Sequence, residues 1–429
     1  MTAGPAPGAP IATHDGPVPS GPLAALSVRY FGRMWASGAL WNVTRWMTIF
    51  LGSYLVNQLT GSPLAVQLAG TCFFLPMFLG GMVAGAVSDR FDRRRTILRQ
   101  LIGLAPLAAL MALAVGTGAI RVWMLYVFAV AVGLGQVVDM TTRRALVNDL
   151  VGDRLFGNAM ALEALSMAAG NSLGSLTGGA VIGALGESAA YGVVAGFYLI
   201  CFTLMVSVPH IARRGRPGAT ASSDGASADA LREMRRDLAA GLRTLPSNKP
   251  FVSLLGVTAI VNFLFFSFMP MVPVLAKRFE VGPLLTGVLA SGLGLGMLIG
   301  SLLMVVLEPG RRGVIYVGGA LLAMVLLVVF AVLQVFVLAL VALVLTGVCS
   351  AGFASVQTAL VMSVNAPEMR GRAMGVLSMA IGTLPFGMVL LGALAERIGS
   401  HAAVVASAVA GMVVLIGWLV RRPEVLRLA

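Results

Sequence analysis

The sequence predicts an all-α membrane protein of twelve transmembrane helices, arranged as two pseudo-symmetric six-helix halves. Three observations carry this. Of 429 residues, 58% are hydrophobic and only 11% charged, where a water-soluble chain carries about 25% charged residues, so the solvent for most of this chain is lipid. The cations collect in short gaps on alternate sides of the apolar runs. Short matches recur at one fixed separation of 214 residues, half the chain.

A spanning helix needs roughly 20 mostly apolar residues. Twelve segments qualify: 31–57, 65–87, 96–116, 122–140, 158–185, 189–208, 251–276, 284–307, 314–333, 335–364, 373–395 and 402–420. The stretch from Val314 to Val364 holds no charge, and Gln334 marks its division into two helices. Residues 1–26 are rich in Pro, Gly and Ala without Lys or Arg. They lack the basic region and apolar core of a cleavable signal and read as a disordered cytoplasmic tail.

With the N-terminus in the cytoplasm, the inner side receives 25 of the 30 cations. Among them are Arg90, Arg93, Arg94 and Arg95 after the second segment, and Arg143, Arg144 and Arg154 after the fourth. The outer side receives Arg121, Lys277, Arg278 and Arg397; Arg45 stays inside the first span. This is the positive-inside bias of a multi-pass protein of the cell (inner) membrane, with both termini cytoplasmic. The one long gap lies within 210–250. There Leu231, Met234, Leu238, Leu242 and Leu245 recur at spacings of three and four, with arginines on other faces, the pattern of an amphipathic helix on the inner surface. The expected parts are a tail at 1–26, a first half at 27–209, this linker, a second half at 251–421 and a short cytoplasmic tail at 422–429. Ala145-Leu-Val147 and Ala359-Leu-Val361, Ala159-Met160 and Ala373-Met374, and Gly133 and Gly347 are the matched pairs.

The composition excludes several classes. Cys72, Cys201 and Cys349 all lie in apolar runs, and an odd number gives no disulfide framework. His14, His210 and His401 lie outside or at the ends of the runs, so no metal or cofactor is indicated. The net charge of +13 follows from topology and calls for no nucleic acid. No His lies within a span and no acid pair repeats, which argues against a membrane-embedded enzyme.

Ionisable groups inside spans are costly and functional by default. Arg45 lies near mid-membrane, Glu163 about a turn and a half into the fifth span, and Asp139 at the inner end of the fourth. Pairing with Arg143 or Arg144 accounts for Asp139. By axial height Arg45 and Asp139 are too distant for an obvious static pair. Glu163, the deepest carboxylate, is the candidate proton carrier, with Asp139 second. Candidate cavity residues are Trp41, Asn42, Arg45, Gln136, Asn171, Asn262, Phe266, Gln357 and Phe386. Trp46, Phe73, Phe74, Phe263, Phe265 and Met269 are further apolar candidates. Such walls suit a bulky amphipathic ligand, and adaptable Met-rich surfaces suit promiscuity.

Gly85-Ala-Val-Ser-Asp89-Arg90-Phe-Asp92-Arg93-Arg94-Arg95 resembles the signature loop between helices 2 and 3 of the major facilitator superfamily. Asp92 stands where Gly is commonest, and Asp tolerates the left-handed backbone of a tight turn. Gly170-Asn-Ser-Leu-Gly174-Ser175-Leu-Thr-Gly178-Gly179 resembles the family's antiporter motif, with Ser175 in place of Pro. Gly170, Gly174 and Gly178 share a face that lets a neighbouring helix approach closely, expected as the sliding contact between halves. Arg144-Ala-Leu-Val-Asn-Asp149-Leu-Val, Pro367-Glu-Met-Arg-Gly-Arg-Ala-Met-Gly375 and Gly392-Ala-Leu-Ala-Glu396-Arg-Ile-Gly399 look like the branch of enterobactin-exporter-like and macrolide-efflux-like drug:proton antiporters. The resemblance implies two six-helix halves rocking about a midplane site. It implies a monomeric, proton-coupled multidrug efflux transporter of hydrophobic or amphipathic small molecules, an importer or facilitator being the alternative. It also implies a conformational-switch role for Gly85, Asp89, Arg90, Arg93 and Arg94, with Asp89 near Arg370–Ala373.

Overall fold

The structure, a computed structural model, describes residues 21, 23–80, 92–209, 248–307, 310–366 and 369–428. Every described element is an α- or 3-10 helix. Helix α1 (Phe31–Thr60) ends at Gly61, whose φ of 64° supplies the left-handed cap while its N–H reaches Asn57 O. Pro63 opens α2 (Pro63–Gly80), where a missing N–H costs nothing. Helix α3 (Arg93–Gly116) starts at Asp92, which accepts from Arg95 N at 2.7 Å. Its φ is −59°, so Asp92 is an N-cap and not the left-handed turn residue that its place in the motif suggested.

Helix α4 (Val122–Gly152) runs twelve residues past the expected end at Met140. Arg143 and Arg144 therefore sit on a helix instead of in a loop. Gly152 (φ 67°, ψ 175°) breaks the chain before Arg154–Val206. Gly186 (φ 84°, ψ 172°) divides that segment into α5 (154–185) and α6 (187–206). Both glycines take up backbone angles that side-chain-bearing residues resist.

The second half of the chain begins with α7 (Lys249–Leu264), capped by Asn248, which accepts from Phe251 N at 3.1 Å. A 3-10 turn, Phe266–Met271, leads into α8 (Val272–Ala276). Pro270 and Pro273 withhold two N–H groups there and bend the span. Then come α9 (Pro283–Leu307), α10 (Arg312–Val332) and α11 (Phe336–Val364). Leu333 and Val335 are extended, which places the division between α10 and α11 at Gln334. Helices α12 (Arg370–Ile381) and α13 (Leu384–Ile398) form one bent span, and α14 (Ser400–Arg421) follows. The end of the chain docks inward: Gly313 N donates to Leu428 O at 2.9 Å and Ser253 Oγ to Arg422 O at 2.6 Å.

Nine helical segments among the described residues are long and apolar enough to cross a membrane. Leu110, Leu113, Trp123, Leu185, Val413 and Val420 stand exposed, an apolar surface far larger than water-soluble monomers show. The protein is a multi-pass membrane protein. Its buried apolar residues fall into two cores: one spans Ala25 to Val208 and adds Val274, the other spans Phe251 to Val425.

Two glycine contacts recur in both. A Cβ on Gly133 would collide with Phe73 O, and one on Gly347 with Leu293 O. Likewise, Gly174 meets Val43 O and Gly387 meets Phe263 O. Both carbonyl pairs, Phe73/Leu293 and Val43/Phe263, are 220 residues apart. Close helix approach at equivalent places requires a missing side chain twice over.

Candidate functional site

Three features build the site: a buried charge cluster, an apolar cavity between the two cores, and two helix seams that join them. The cluster sits where α1, α4 and α5 meet. Arg143, 3% exposed, holds Asp139, 5% exposed, through Nε to Oδ2 at 3.0 Å and Nη2 to Oδ1 at 2.6 Å. The i,i+4 spacing puts both on one face of α4. Arg143 Nη1 also donates to Met34 O at 3.1 Å, beside Gly38, where a Cβ would lie 3.1 Å from Arg143 Cδ. Glu163 on α5 is half-buried; its Oε1 has no hydrogen-bond partner, and the charges of Arg143, Asp139 and Arg144 reach it. Asp139 thus has the Arg143 partner the sequence suggested. It is buried mid-helix because α4 continues past it.

The cavity, narrow and partly open to its surroundings, is walled by Trp46, Phe50 and Ser53 from α1, Phe74 from α2, Asn171 from α5 and Met269 from the turn before α8. Of the candidate cavity residues, Asn171 lies on this wall, with Trp46, Phe74 and Met269 from the further apolar candidates; the other polar candidates and Trp41 do not. Trp41 Nε1 donates to Gln136 Oε1 at 3.2 Å and Asn42 Nδ2 to Ser166 Oγ at 3.2 Å, so these four side chains satisfy one another within the first core. In the second core, Gln357 Nε2 donates to Thr258 Oγ1 at 3.2 Å and Asn262 Nδ2 to Thr258 O at 2.9 Å, while Phe266 packs on Phe265 and Phe353. Phe386 is half exposed, edge-on to Phe78 at the seam of α2 and α13, and not in the cavity. Arg45 is 6% exposed with its guanidinium 5.1 Å from the Trp46 ring centroid. Asp139 is near enough for its charge to act on Arg45, but its carboxylate is bound to Arg143 and forms no ion pair with Arg45, in keeping with the expectation of no static pair.

The glycine face of α5 differs from expectation. Gly170, Gly174 and Gly178 pack on α1, against Asn42, Val43 and Phe50, within the first core. Gly179, turned about 100° from Gly178, is the one that crosses. A Cβ there would lie 2.6 Å from Pro283 O and 2.7 Å from Gly287 Cα of α9. On the other seam, Glu396 of α13 reaches the start of α2. Its Oε1 accepts from Ser62 Oγ and, at 3.1 Å, from Leu64 N, an acid at a helix N-terminus. Gln67 Nε2 donates to Ser267 O at 2.9 Å, and Thr71 Oγ1 to Pro385 O at 3.3 Å.

Gly85, Asp89 and Arg90 lie outside the described residues, so the Asp89 contact with Arg370–Ala373 and the amphipathic helix within 210–250 do too. Arg93 and Arg94 are described. Arg93 pairs with Asp149 of α4 and donates to Ala145 O at 3.3 Å. Arg94 caps the end of α6 through Nε to Val208 O at 2.5 Å and Nη2 to Val206 O at 2.8 Å. Asp149 had no role assigned from sequence; an acid on the same segment as Arg143 and Arg144, within reach of the arginines after the second span, was the available signal.

Residues 20–427 match the transmembrane secretion effector family. The chain belongs to the major facilitator superfamily. It is a transporter and not an enzyme. It is 28% identical over 372 residues to multidrug efflux pump Tap of Mycolicibacterium fortuitum, covering 83% of this chain and 87% of that one. It is 21% identical to macrolide efflux protein A of Streptococcus pyogenes, covering 86% and 90%. Among solved structures, an inward-facing, occupied bacterial homolog of the human lysosomal transporter Spinster superposes with a TM-score of 0.70 at 15% identity, over 96% of this major facilitator chain and 98% of the other.

Proposed function

We propose that this chain exports hydrophobic or amphipathic small molecules, such as drugs, siderophores or natural products, in exchange for protons. The cavity between the two cores is the observation that carries the reading. Its wall of Trp46, Phe50, Phe74 and Met269 suits an amphipathic cargo, and relatives named for drug and macrolide efflux support the direction. Two six-helix halves, 27–209 and 251–421, rock about this cavity, joined by the linker 210–250. The nine long apolar segments, one of them divided at Gly186, together with α1 and the shorter apolar α2, support twelve crossings, and the paired glycine contacts support two equivalent halves. Glu163 carries the proton beside the Asp139–Arg143 pair. The chain works as a monomer.

Cells expressing the chain should retain less of the neutral dye Nile red than control cells, and a protonophore should remove the difference. Equal retention in both would refute export; a difference that survives the protonophore would refute proton coupling. Both termini are placed in the cytoplasm because the inner side takes 25 of the 30 cations. An impermeant thiol reagent added to intact cells should then label Ser62→Cys, at the outer end of α2, and spare Ser223→Cys in the linker. The reverse pattern would overturn the orientation.

A further inference from the structure

We infer that the cavity is built for neutral or anionic amphiphiles carrying a hydrogen-bond acceptor, and that it turns away organic cations. This rests on the reading of the cavity as the substrate site. None of the described residues on its wall is an acid. A cation entering there would shed water without meeting a counter-charge, at a cost of several kcal/mol per ion. Behind Trp46 lies Arg45, nine-tenths buried, with no hydrogen bond or ion pair among the described residues and Nε wholly enclosed. Trp46 Nε1 is likewise a donor with no partner. The Asn171 side-chain amide makes no hydrogen bond among the described residues and lies on the same wall.

Arg45 is one turn before Ile49 on the same face of α1. Ile49 lines this cavity and a neighbouring one. Nearby acids do not change the sign. Asp139 is bound by Arg143, which is itself a cation. Glu163 is eight residues from Asn171, about 12 Å along α5. What remains is two unused donors on the wall, Trp46 Nε1 and the Asn171 amide, and beside Trp46 the charge of Arg45, which is off the wall itself and makes no ion pair among the described residues. A ligand with an apolar body and a carbonyl, phenolate or carboxylate satisfies both.

Three probes with one fluorophore and different charge test this: dansylglycine (anionic), dansylamide (neutral) and dansylcadaverine (cationic). Each is titrated into the full chain in lipid nanodiscs, with energy transfer from tryptophan as readout and empty nanodiscs subtracted. Dansylglycine should bind at least about tenfold more tightly than dansylcadaverine, the scale of one charge-assisted hydrogen bond. Arg45→Lys should keep that ranking, Arg45→Gln should compress it to within about threefold, and Trp46→Phe should lower the transfer. Equal or tighter binding of the cation to wild type, no binding by any probe, or an unchanged ranking in folded Arg45→Gln would overturn the inference. The wild-type ranking needs no variant to fold. Arg45-dependent binding without any flux would sink the proposed export of such amphiphiles and leave the site standing.

Discussion

Glu163→Gln is expected to abolish transport driven by a pH gradient while leaving exchange of substrate across the membrane intact. An antiporter must alternately load and release a proton, whereas exchange of like for like moves no net proton. Glu163 is the acid proposed for this: half-buried, with Oε1 unpartnered, next to a guanidinium already committed to another carboxylate. Asp139→Asn should behave differently. It strips Arg143 of its counter-charge inside the protein, and breaking a buried pair costs about 3–5 kcal/mol. Its expected signature is a lower unfolding temperature in detergent more than a coupling defect. Wild-type pH-driven transport in Glu163→Gln would remove Glu163 from the mechanism. Should Asp139→Asn uncouple without destabilising, the roles of the two acids are exchanged.

Gly179→Val is expected to trap the transporter away from the arrangement seen here. The added Cβ meets Pro283 O and Gly287 Cα, both backbone atoms on α9 that cannot rotate aside. Helices α5 and α9 must then separate, and the seam between the two cores opens. Transport should fall by at least about tenfold, an energetic bias near 1.4 kcal/mol, while the protein still folds, since the clash lies at the seam and most of each core is untouched. Glu396→Gln acts on the opposite seam and should be milder, because Glu396 is solvent-exposed and its hydrogen bonds to Ser62 and Leu64 compete with water. Spin labels at Gln58 and Ile398 report the Glu396 seam, and labels at the exposed Leu185 and Leu284 report the Gly179 seam. A longer distance population should grow at the labelled seam of each variant, more in Gly179→Val; unchanged distances with full transport would contradict this account of the seams.

Much of the fold was legible because lipid imposes simple rules. Runs of apolar residues and the sidedness of arginine mark spans, and Gln334 marks the division between α10 and α11. What escaped depended on tertiary partners. Arg143 looked like a loop cation because charge normally ends a span, yet Asp139 one turn earlier neutralises it and lets α4 run on to Gly152. Period alone put Gly170, Gly174 and Gly178 on one face of α5, but no pattern says which neighbour that face meets. It meets α1, and Gly179, one residue on, meets α9. The cavity was legible only in composition. Trp46, Phe74 and Met269 were apolar candidates, but in sequence a wall residue and a lipid-facing one are alike, as Phe386 shows.

The central claim is that this chain couples protons to the movement of amphipathic molecules. Purified protein in sealed vesicles with an acidic lumen and a trapped pH dye tests it most directly. Adding dansylamide outside should speed alkalinisation of the lumen in wild-type vesicles, and should do nothing in empty vesicles or in those holding Glu163→Gln. Identical rates in wild-type and empty vesicles would contradict the account.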